Sequence, residues 1–587
     1  MQLTGRLNGV RSVSAARSCG STPVCARPAA RAHRALPQQH VASVAGRQPA
    51  SSSVERRSTV VVRSSPAPAS SSLKAPGQHL PQVNIVYKFG GSSVRDAERM
   101  REVADIICSF QENLPCVVLS AMGKTTNMLL ECGELALRSP TDTIPNLKPL
   151  RAIRELHLST CEELGVEASV RAEVEALLCN LQQLLIGISI MQDLTPRAKD
   201  SLVSFGERMS TRIFASFLRV NGVPARQHDA AEIGVVTSDD FGNADILYDQ
   251  TLSKLRSSLT QEPEGPREVQ VVTGFLGKGV QTGAITTLGR GGSDLTATVL
   301  GAAMELREVQ VWKNVDGVLT SDPRIVWKDV DGVLTSDPRI VSNTIPVTEL
   351  TYEEATELAF FGAQVLHPLA MQPAIRSQAM DAMDVRVKNS YNRQASGTII
   401  SKARDMSCSL VTSIVLKNNV TLVDIVSSRM LGQFGFLANV FDVFRSQQVS
   451  VDVVASSEVS ISLSLDPKKS WSDGEVGEEL NHLIFELEKI SSVRVRSGMA
   501  ILSLICNVER TSEILLRTFK VLLEEGINVS MMSQGASKVN ISLVVDGDEG
   551  QRAVRALHKE FFEGPQSCLP SASSNGNGAT AQAASRR

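Results

Sequence analysis

The sequence predicts an α/β protein in which a layered sheet is followed by two small α+β units. Three observations carry that expectation. β-rich runs alternate with stretches of helical period from Val83 to about Ile400, the pattern of strands covered by helices. Glycine-rich turns stand at the junctions, at Gly90-Gly91, at Gly274 and Gly277, and at Gly289 to Gly292. Beyond Ser413 the texture shifts, and one order of strand, helix and strand occurs twice.

A chain of 587 residues is too long for one core and points to about three or four domains. The formal net charge of −2 gives no global reason to expect nucleic acid. No apolar run approaches the roughly 20 residues that span a bilayer, so no membrane partner is expected. The cysteines are scattered without CxxC pairs, which fits free thiols in a reducing compartment and no protein-held metal. Residues 1–80 are rich in Arg, Ser, Ala and Pro, and Glu55 is their only acid. That composition matches an organelle transit peptide, with its Ser and Ala content favouring plastids; a disordered basic tail is the alternative. Residues 564–587, rich in Ser, Ala, Gly and Asn, read as disordered.

The elements follow in order. Val83 to Lys88 is a short strand, Phe89-Gly-Gly-Ser-Ser93 a glycine turn, and Met100, Val103, Ile106 and Ile107 share one helical face. Strand, glycine turn and helix together form a geometry that holds phosphate, and Lys88 is placed to reach a transferring phosphoryl group. A second such unit runs from Pro115 to Leu119 and through Ser120, Thr126 and Asn127 into a helix. Its Gly123-Lys124-Thr125 imitates the end of a P-loop, but Val118 stands where the first glycine belongs; Lys278 fails likewise, through Val272. Residues 150–190 have helical period and are expected to form a substrate-side or lid insertion. Ser204-Phe-Gly-Glu207 is expected to open a helix. There Glu207 either complements the helix dipole or holds a substrate amino group. In Thr287-Leu-Gly-Arg290-Gly-Gly-Ser293-Asp294 the glycines admit a phosphate to the backbone amides, a helix starts at once, and Arg290 adds a planar fork for a carboxylate or phosphate.

Residues 312–326 and 327–341 are two copies of one 15-residue segment, differing only at Asn314 and Asp329. Both cannot fill one site, so one is expected to loop out at little entropic cost, or the duplication reflects a gene-model error. The C-terminal repeat is marked by the echoes Ser457-Glu-Val-Ser-Ile-Ser-Leu463 and Ser537-Lys-Val-Asn-Ile-Ser-Leu543. Its short units have sheet edges that want a partner.

Taken together, Lys88-Phe-Gly-Gly-Ser-Ser-Val94, Ser204-Phe-Gly-Glu207, Gly274-Phe-Leu-Gly277, Thr286 to Asp294 and Phe361-Gly-Ala-Gln-Val-Leu-His-Pro368 resemble, in that order, the motifs of aspartate kinases. The likeness is to the monofunctional, lysine-sensitive plastid type, over about Val83 to Glu563. It implies a three-layer αβα amino-acid-kinase domain of the carbamate-kinase-like fold over 83–402, then ACT domains over 413–490 and 495–563. It also implies transfer of the ATP γ-phosphoryl to the β-carboxylate of L-aspartate, the first step toward lysine, threonine and methionine. Mg²⁺ would ride on the nucleotide, and the location would be the plastid stroma.

By this resemblance Lys88, Gly90, Gly91 and Ser92 face the ATP phosphates. Arg290 clamps a substrate carboxylate, Glu207 holds its ammonium, and Ser120 and Thr126 line the same pocket. Ser293 and Asp294 lie between substrate and nucleotide, and Lys88, Asp294 and Arg290 form the catalytic set. The nucleotide loop is assigned to the second copy, with Lys328, Asp329 and Arg339, or else to the first, with Lys313, Asn314 and Arg324. An inhibitory lysine pocket is implied at Met430, Gly435, Phe436, Leu437, Ser450, Val451, Asp452, Ser457 and Glu458. Lysine is the expected effector, S-adenosylmethionine a further candidate, and a homo-oligomer, dimer or tetramer, is expected through the ACT edges. A catalytically silent ACT-based sensor and a related amino-acid kinase are the alternative readings. A fused homoserine dehydrogenase is not expected.

Overall fold

The computed structural model describes residues 83–110, 112–259, 267–289, 291–313, 332–361, 363, 366–376, 383–406, 409–427, 435–447, 449–457, 460–465, 476–535 and 537–564. All lie in one compact unit, 79–587. An eight-stranded sheet forms its first part. From one edge to the other its strands are β11 (Glu349–Thr351), β13 (Thr398–Ser401), β12 (Asp384–Asn389), β8 (Glu308–Lys313), β1 (Ile85–Phe89), β2 (Pro115–Leu119), β5 (Val269–Thr273) and β3 (Ala225–His228). Only β12 and β13 pair antiparallel. Strands β1, β2 and β5 are buried along their whole length, as runs such as Pro-Cys-Val-Val-Leu require when helices cover both faces. A small sheet of β4 (Val236–Thr237), β6 (Leu276–Gly279) and β7 (Ile285–Thr287) lies beside it.

The covering helices are α1 (Ala97–Ser109), α2 (Thr125–Ala136), α3 (Lys148–Leu164), α4 (Ala168–Met191), α5 (Pro196–Val220), the shorter α6 (Ala230–Ile233) and α7 (Tyr248–Leu259), and α8 (Gly292–Ala303). Every residue of α8 is buried, which its Ala, Val, Leu and Thr content permits on all sides. The stretch 150–190, expected to be helical and to form a substrate-side or lid insertion, is helical, as α3 and α4, which pack on α2 and α5. Leu178, Leu181, Leu185 and Ile188 enter the core there, so the apolar period reports a structural layer. Among the described helices α4 alone is long and apolar enough to cross a membrane by length and composition. Its buried leucines spend that apolarity on the helical layer. Helix α5 also begins earlier than expected. Thr195 Oγ accepts from the Ala198 amide at 3.1 Å and Pro196 opens the first turn, so Glu207 is mid-helix and cannot serve the dipole.

The second part is one six-stranded sheet ordered β15 (Val453–Ser456), β16 (Ser460–Leu465), β14 (Val411–Val426), β17 (Ser492–Cys506), β19 (Asn540–Asp546) and β18 (Met531–Ser533). The long β14 and β17 cross both halves. Val420 to Val426 lies on the β16 side, whereas Val411 to Lys417 faces the part of β17 that pairs with β19. The two units are therefore interleaved through shared strands rather than laid end to end. The ladder shifts register between Lys417 and Leu422, where Asn419 has φ of 59°.

The duplicated segment is divided by the fold. Trp312 and Lys313 of the first copy end β8, with Trp312 fully buried against Tyr87 and Phe89. The second copy contributes Gly332 to Val341, including β9 (Val333–Leu334), which pairs with β10 (Pro346–Val347). The six-stranded sheet and a helix packed on it grip this stretch. Ser413 Oγ donates to the Leu334 and Thr335 carbonyls, the Ile414 amide to Thr335 at 2.8 Å, and Arg555 to the Ile340 carbonyl at 2.9 Å. Asn314, Arg324, Lys328 and Asp329 fall outside the described residues. Deleting residues 314–328 rejoins Lys313 to Asp329 and leaves one complete copy. The expected result is an enzyme with unchanged kcat and a stability change under about 1 kcal/mol, the loop-closure term. Denaturant melts and initial rates check this; a collapse of either shows that the second copy is required.

Candidate active site

The strand–turn–helix junctions after β1 and β2 meet the glycine loop between β7 and α8 at the C-terminal ends of the parallel strands, where such sheets open a crevice. The resulting cleft encloses about 560 Å³. Lys88, Gly90 and Gly91 come from the β1 junction, and Ser120, Ala121, Gly123, Lys124, Thr126 and Asn127 from the β2 junction. Gly289, Gly291, Gly292, Ser293 and Asp294 bring the N-terminus of α8, and Glu207 enters from α5. Two glycines explain how closely these parts approach. A Cβ on Gly206 would lie 2.6 Å from the Ala121 Cβ, so only glycine lets α5 bring Glu207 beneath the β2 turn. Gly291, with φ of 71°, packs so tightly on His367 that a Cβ would sit 2.1 Å from the His367 Cβ.

The electrostatics divide the cleft. On one side the Lys88 ammonium lies 2.7 Å from Asp294 Oδ1, an ion pair whose angle falls outside a directed hydrogen bond. Burial opposes the charge on Asp294, but Lys88 and Lys313 outweigh it and hold this carboxyl below its ordinary value. Lys313 is half-buried; partial burial and the neighbouring Lys88 depress its pKa, against the pull of Asp294. On the other side Glu207 is 3 % exposed. Its Oε1 accepts from the Ala121 amide at 3.1 Å, and its Oε2 has no partner. Burial pushes its pKa up to about 7. An unpartnered buried carboxylate oxygen facing a cleft is a waiting acceptor for a cationic group. Between the two sides, Ser120 Oγ donates to Ser293 Oγ at 3.0 Å, and Ser210 Oγ fixes the Ser120 carbonyl at 2.9 Å.

The structure brings Lys88, Gly90, Gly91, Ser120, Thr126, Glu207, Ser293 and Asp294 to this one cleft. Ser92 is exposed on the 3₁₀ turn Gly91–Val94, outside the lining. Arg290 lies outside the described residues, although Gly289 and Gly291 on either side of it line the cleft. Arg339 does not reach the lining. Its guanidinium binds Asp337 within the same turn at 2.7 Å. Lys313 of the first copy is the nearer cation, through its field on Asp294. Sequence reasoning missed Asp200, one helical face above Glu207 at i−7. It is 2 % exposed and anchors the glycine loop by accepting from the Thr287 amide, the Thr287 hydroxyl and the Gly242 amide at 2.8–3.0 Å. Gly242 and Phe275, also missed, line the cleft. The i, i+7 pair of acids on one helix was the signal that could have exposed Asp200.

The residues assigned to a lysine pocket do not converge on one described cavity. Met430 and Glu458 lie outside the described residues. Phe436 turns into the core with Val440 and Phe444, while Leu437, Gly435, Ser450 and Ser457 are exposed and Val451 is half-buried. Asp452 is turned away from solvent into an ion pair with Lys417, whose register-shifted position on β14 supplies the ammonium. Its carboxylate therefore already holds a cation from its own chain.

Comparison with known proteins agrees with this architecture. The amino acid kinase family model matches residues 84–326 and 325–389, two stretches that meet at the seam between the copies, and an ACT domain model matches 505–561. Aspartokinase 1, chloroplastic, of Arabidopsis thaliana is 54% identical over 484 residues, covering 82% of this chain and 80% of that protein. Lysine-sensitive aspartokinase 3 of Escherichia coli is 35% identical over 482 residues, 82% of this chain and 99% of that one. The crystal structure of E. coli aspartokinase III with lysine and aspartate superposes with a TM-score of 0.65 at 33% identity, over 82% of this chain and all of that chain. A parallel sheet with paired cations at its C-terminal edge, joined to an interleaved regulatory sheet and matched along four-fifths of the chain, places this protein in the aspartokinase family.

Proposed function

We propose that the cleft transfers the γ-phosphoryl group of ATP to the β-carboxylate of L-aspartate, giving 4-phospho-L-aspartate. The observation that carries this reading is the opposed placement of Lys88, with Asp294 and Lys313, against the unpartnered Oε2 of Glu207. One side suits phosphate oxygens and the other an ammonium. The N-termini of α2 and α8 add backbone amides where anions gather. An E. coli relative has been crystallised with aspartate and ADP, at 34% identity and a TM-score of 0.65.

The reacting carboxylate is ionised at neutral pH, so the transfer needs no strong base and rests on positioning and charge neutralisation. Glu207 receives the substrate ammonium, which orients the β-carboxylate toward the α8 N-terminus. Ser120 and Ser293 hold substrate oxygens between the two halves. Lys88 neutralises charge on the transferring group, and Asp294 keeps the Lys88 ammonium in place. Among the described residues there is no group of three or more side chains that could cage a metal. Mg²⁺ carried on the nucleotide phosphates would supply further charge neutralisation. Arg290 would clamp the α-carboxylate.

The regulatory sheet would respond to lysine, with S-adenosylmethionine a second candidate, and its edge strands would pair a homo-oligomer. Leader-like residues 1–80 and the chloroplastic relatives support a plastid, stromal location. A coupled assay of aspartate-dependent ADP formation, with and without L-lysine, tests both activity and control. Lysine-suppressed turnover is the expected result. No nucleotide use with aspartate and Mg²⁺ overturns the catalytic reading, and turnover indifferent to lysine overturns the regulatory one.

A further inference from the structure

Gly274-Phe-Leu-Gly277 joins β5 to β6 and carries a strained backbone at the edge of the cleft. Phe275 has φ of 69°, in the left-handed region that a bulky residue rarely adopts. The Leu276 amide donates to the Gly274 carbonyl at 2.8 Å, which closes a three-residue turn around Phe275. The surroundings hold it there. The Phe275 amide donates to the fully buried Thr296 Oγ1 at 3.1 Å, and its carbonyl accepts from the Leu288 amide at 3.0 Å. The Gly274 amide donates to the Leu119 carbonyl at 2.9 Å. Strain that is over-determined in this way gathers at functional positions. Glycine would adopt the conformation freely, so what this position gains from phenylalanine is the ring.

Core packing does not account for that ring. Phe275 is half-buried and stands outside the hydrophobic cores of the described residues. It lines the cleft, where every other lining residue is glycine, alanine, polar or charged. A Cβ on Gly292 would sit 2.8 Å from Phe275 Cδ2, so the ring rests on the first turn of α8. A Cβ on Gly274 would lie 2.6 Å from Ser293 Oγ, so the same turn backs the Ser293 hydroxyl.

We propose that Phe275 is a specificity-determining residue, whose ring closes the acid pocket at the length of aspartate and excludes glutamate. The inference rests on the phosphoryl-transfer reading of the cleft and adds to it the choice between acids. Glu207 fixes the substrate ammonium at one end, and the α8 N-terminus receives the side-chain carboxylate at the other. A substrate anchored at Glu207 with one more methylene has to drive its carboxylate past Ser293, into the space that the ring fills. The ring cannot yield through its backbone, which is hydrogen-bonded at both the amide and the carbonyl.

The test uses the full chain with L-aspartate and L-glutamate, each read by steady-state ADP formation and by titration calorimetry, which needs no turnover. Phe275→Ala is expected to lower the aspartate-over-glutamate ratio of kcat/KM by about tenfold to two hundredfold, the range that one methylene commands in a pocket. The gain should come from glutamate, and the ratio of Kd values should move the same way. Phe275→Gly removes the same ring and relieves the left-handed backbone, so it should show the same loss and serves if Phe275→Ala melts early. Phe275→Tyr keeps the ring and should keep the discrimination. A purely structural role would lower kcat/KM for both acids together and leave their ratio where it was. Ratios unchanged in Phe275→Ala and Phe275→Gly, by rate and by binding, overturn the proposal, as does a parent protein with no preference for aspartate. A parent that binds aspartate but forms no ADP with it overturns the phosphoryl-transfer reading instead, and the calorimetric ratios still decide whether the ring selects the acid.

Discussion

Lys88→Met is expected to lower kcat by about 10²–10³-fold, the usual cost of removing one preorganised charge from a transition state. Methionine keeps the length and apolar stem of lysine and discards only the ammonium. That ammonium stands at the end of a buried strand, 2.7 Å from Asp294, so its position is fixed before any reactant arrives. Removing it also leaves a buried Asp294 facing Lys313 alone. Aspartate affinity, which depends on the Glu207 side of the cleft, should change far less than kcat. Single-turnover measurements separate the two quantities. Near-normal chemistry in Lys88→Met would remove this residue from the mechanism and pass the role to Lys313.

The second large effect belongs to Glu207. Burial raises its pKa to about 7, so in the empty protein it is neutral below that pH and charged above it. Aspartate brings an ammonium that needs the charged form. Its KM should therefore climb about tenfold for each pH unit below 7, while kcat at saturation holds, as linkage to one proton demands. The stability consequence has the opposite sign. A carboxyl whose folded pKa is raised stabilises the fold below its unfolded value, and that contribution is lost between about pH 4.5 and 7. Glu207→Gln should thus melt like the parent at pH 4 and be more stable at pH 8, by on the order of 3 kcal/mol. The same variant should bind aspartate far more weakly at every pH. Equal melting of the two proteins at pH 8 would show that the carboxylate is solvated in solution, and a pH-independent KM would detach it from the substrate.

Local chemistry was read well from the chain alone. Lys88, Ser120, Thr126, Ser293 and Asp294 stand at or beside glycine turns that lead into helices, and such turns are written in consecutive residues, whereas Glu207 reaches the cleft from the middle of α5. Their convergence on one cleft follows from parallel strand order, which alternation already implied. The glycines beside them were legible for the same reason, since each serves a turn or an approach within its own motif. The start of α5 was misread because Phe205 and Gly206 drew attention away from Thr195 and Pro196, the stronger boundary signal.

What the sequence determined by itself is where the glycine-rich turns and their polar neighbours stand along the chain, and that the C-terminal part is a repeat. Only the tertiary structure decided where charges are spent. Asp452 looks in sequence like a group waiting for a ligand, yet it is bound within its own chain by Lys417, which is far from it in sequence. The tertiary structure also interleaved the two regulatory units through β14 and β17. The physical reason is common to both. Pairing between charges or strands that lie far apart in the chain depends on contacts that no local pattern encodes.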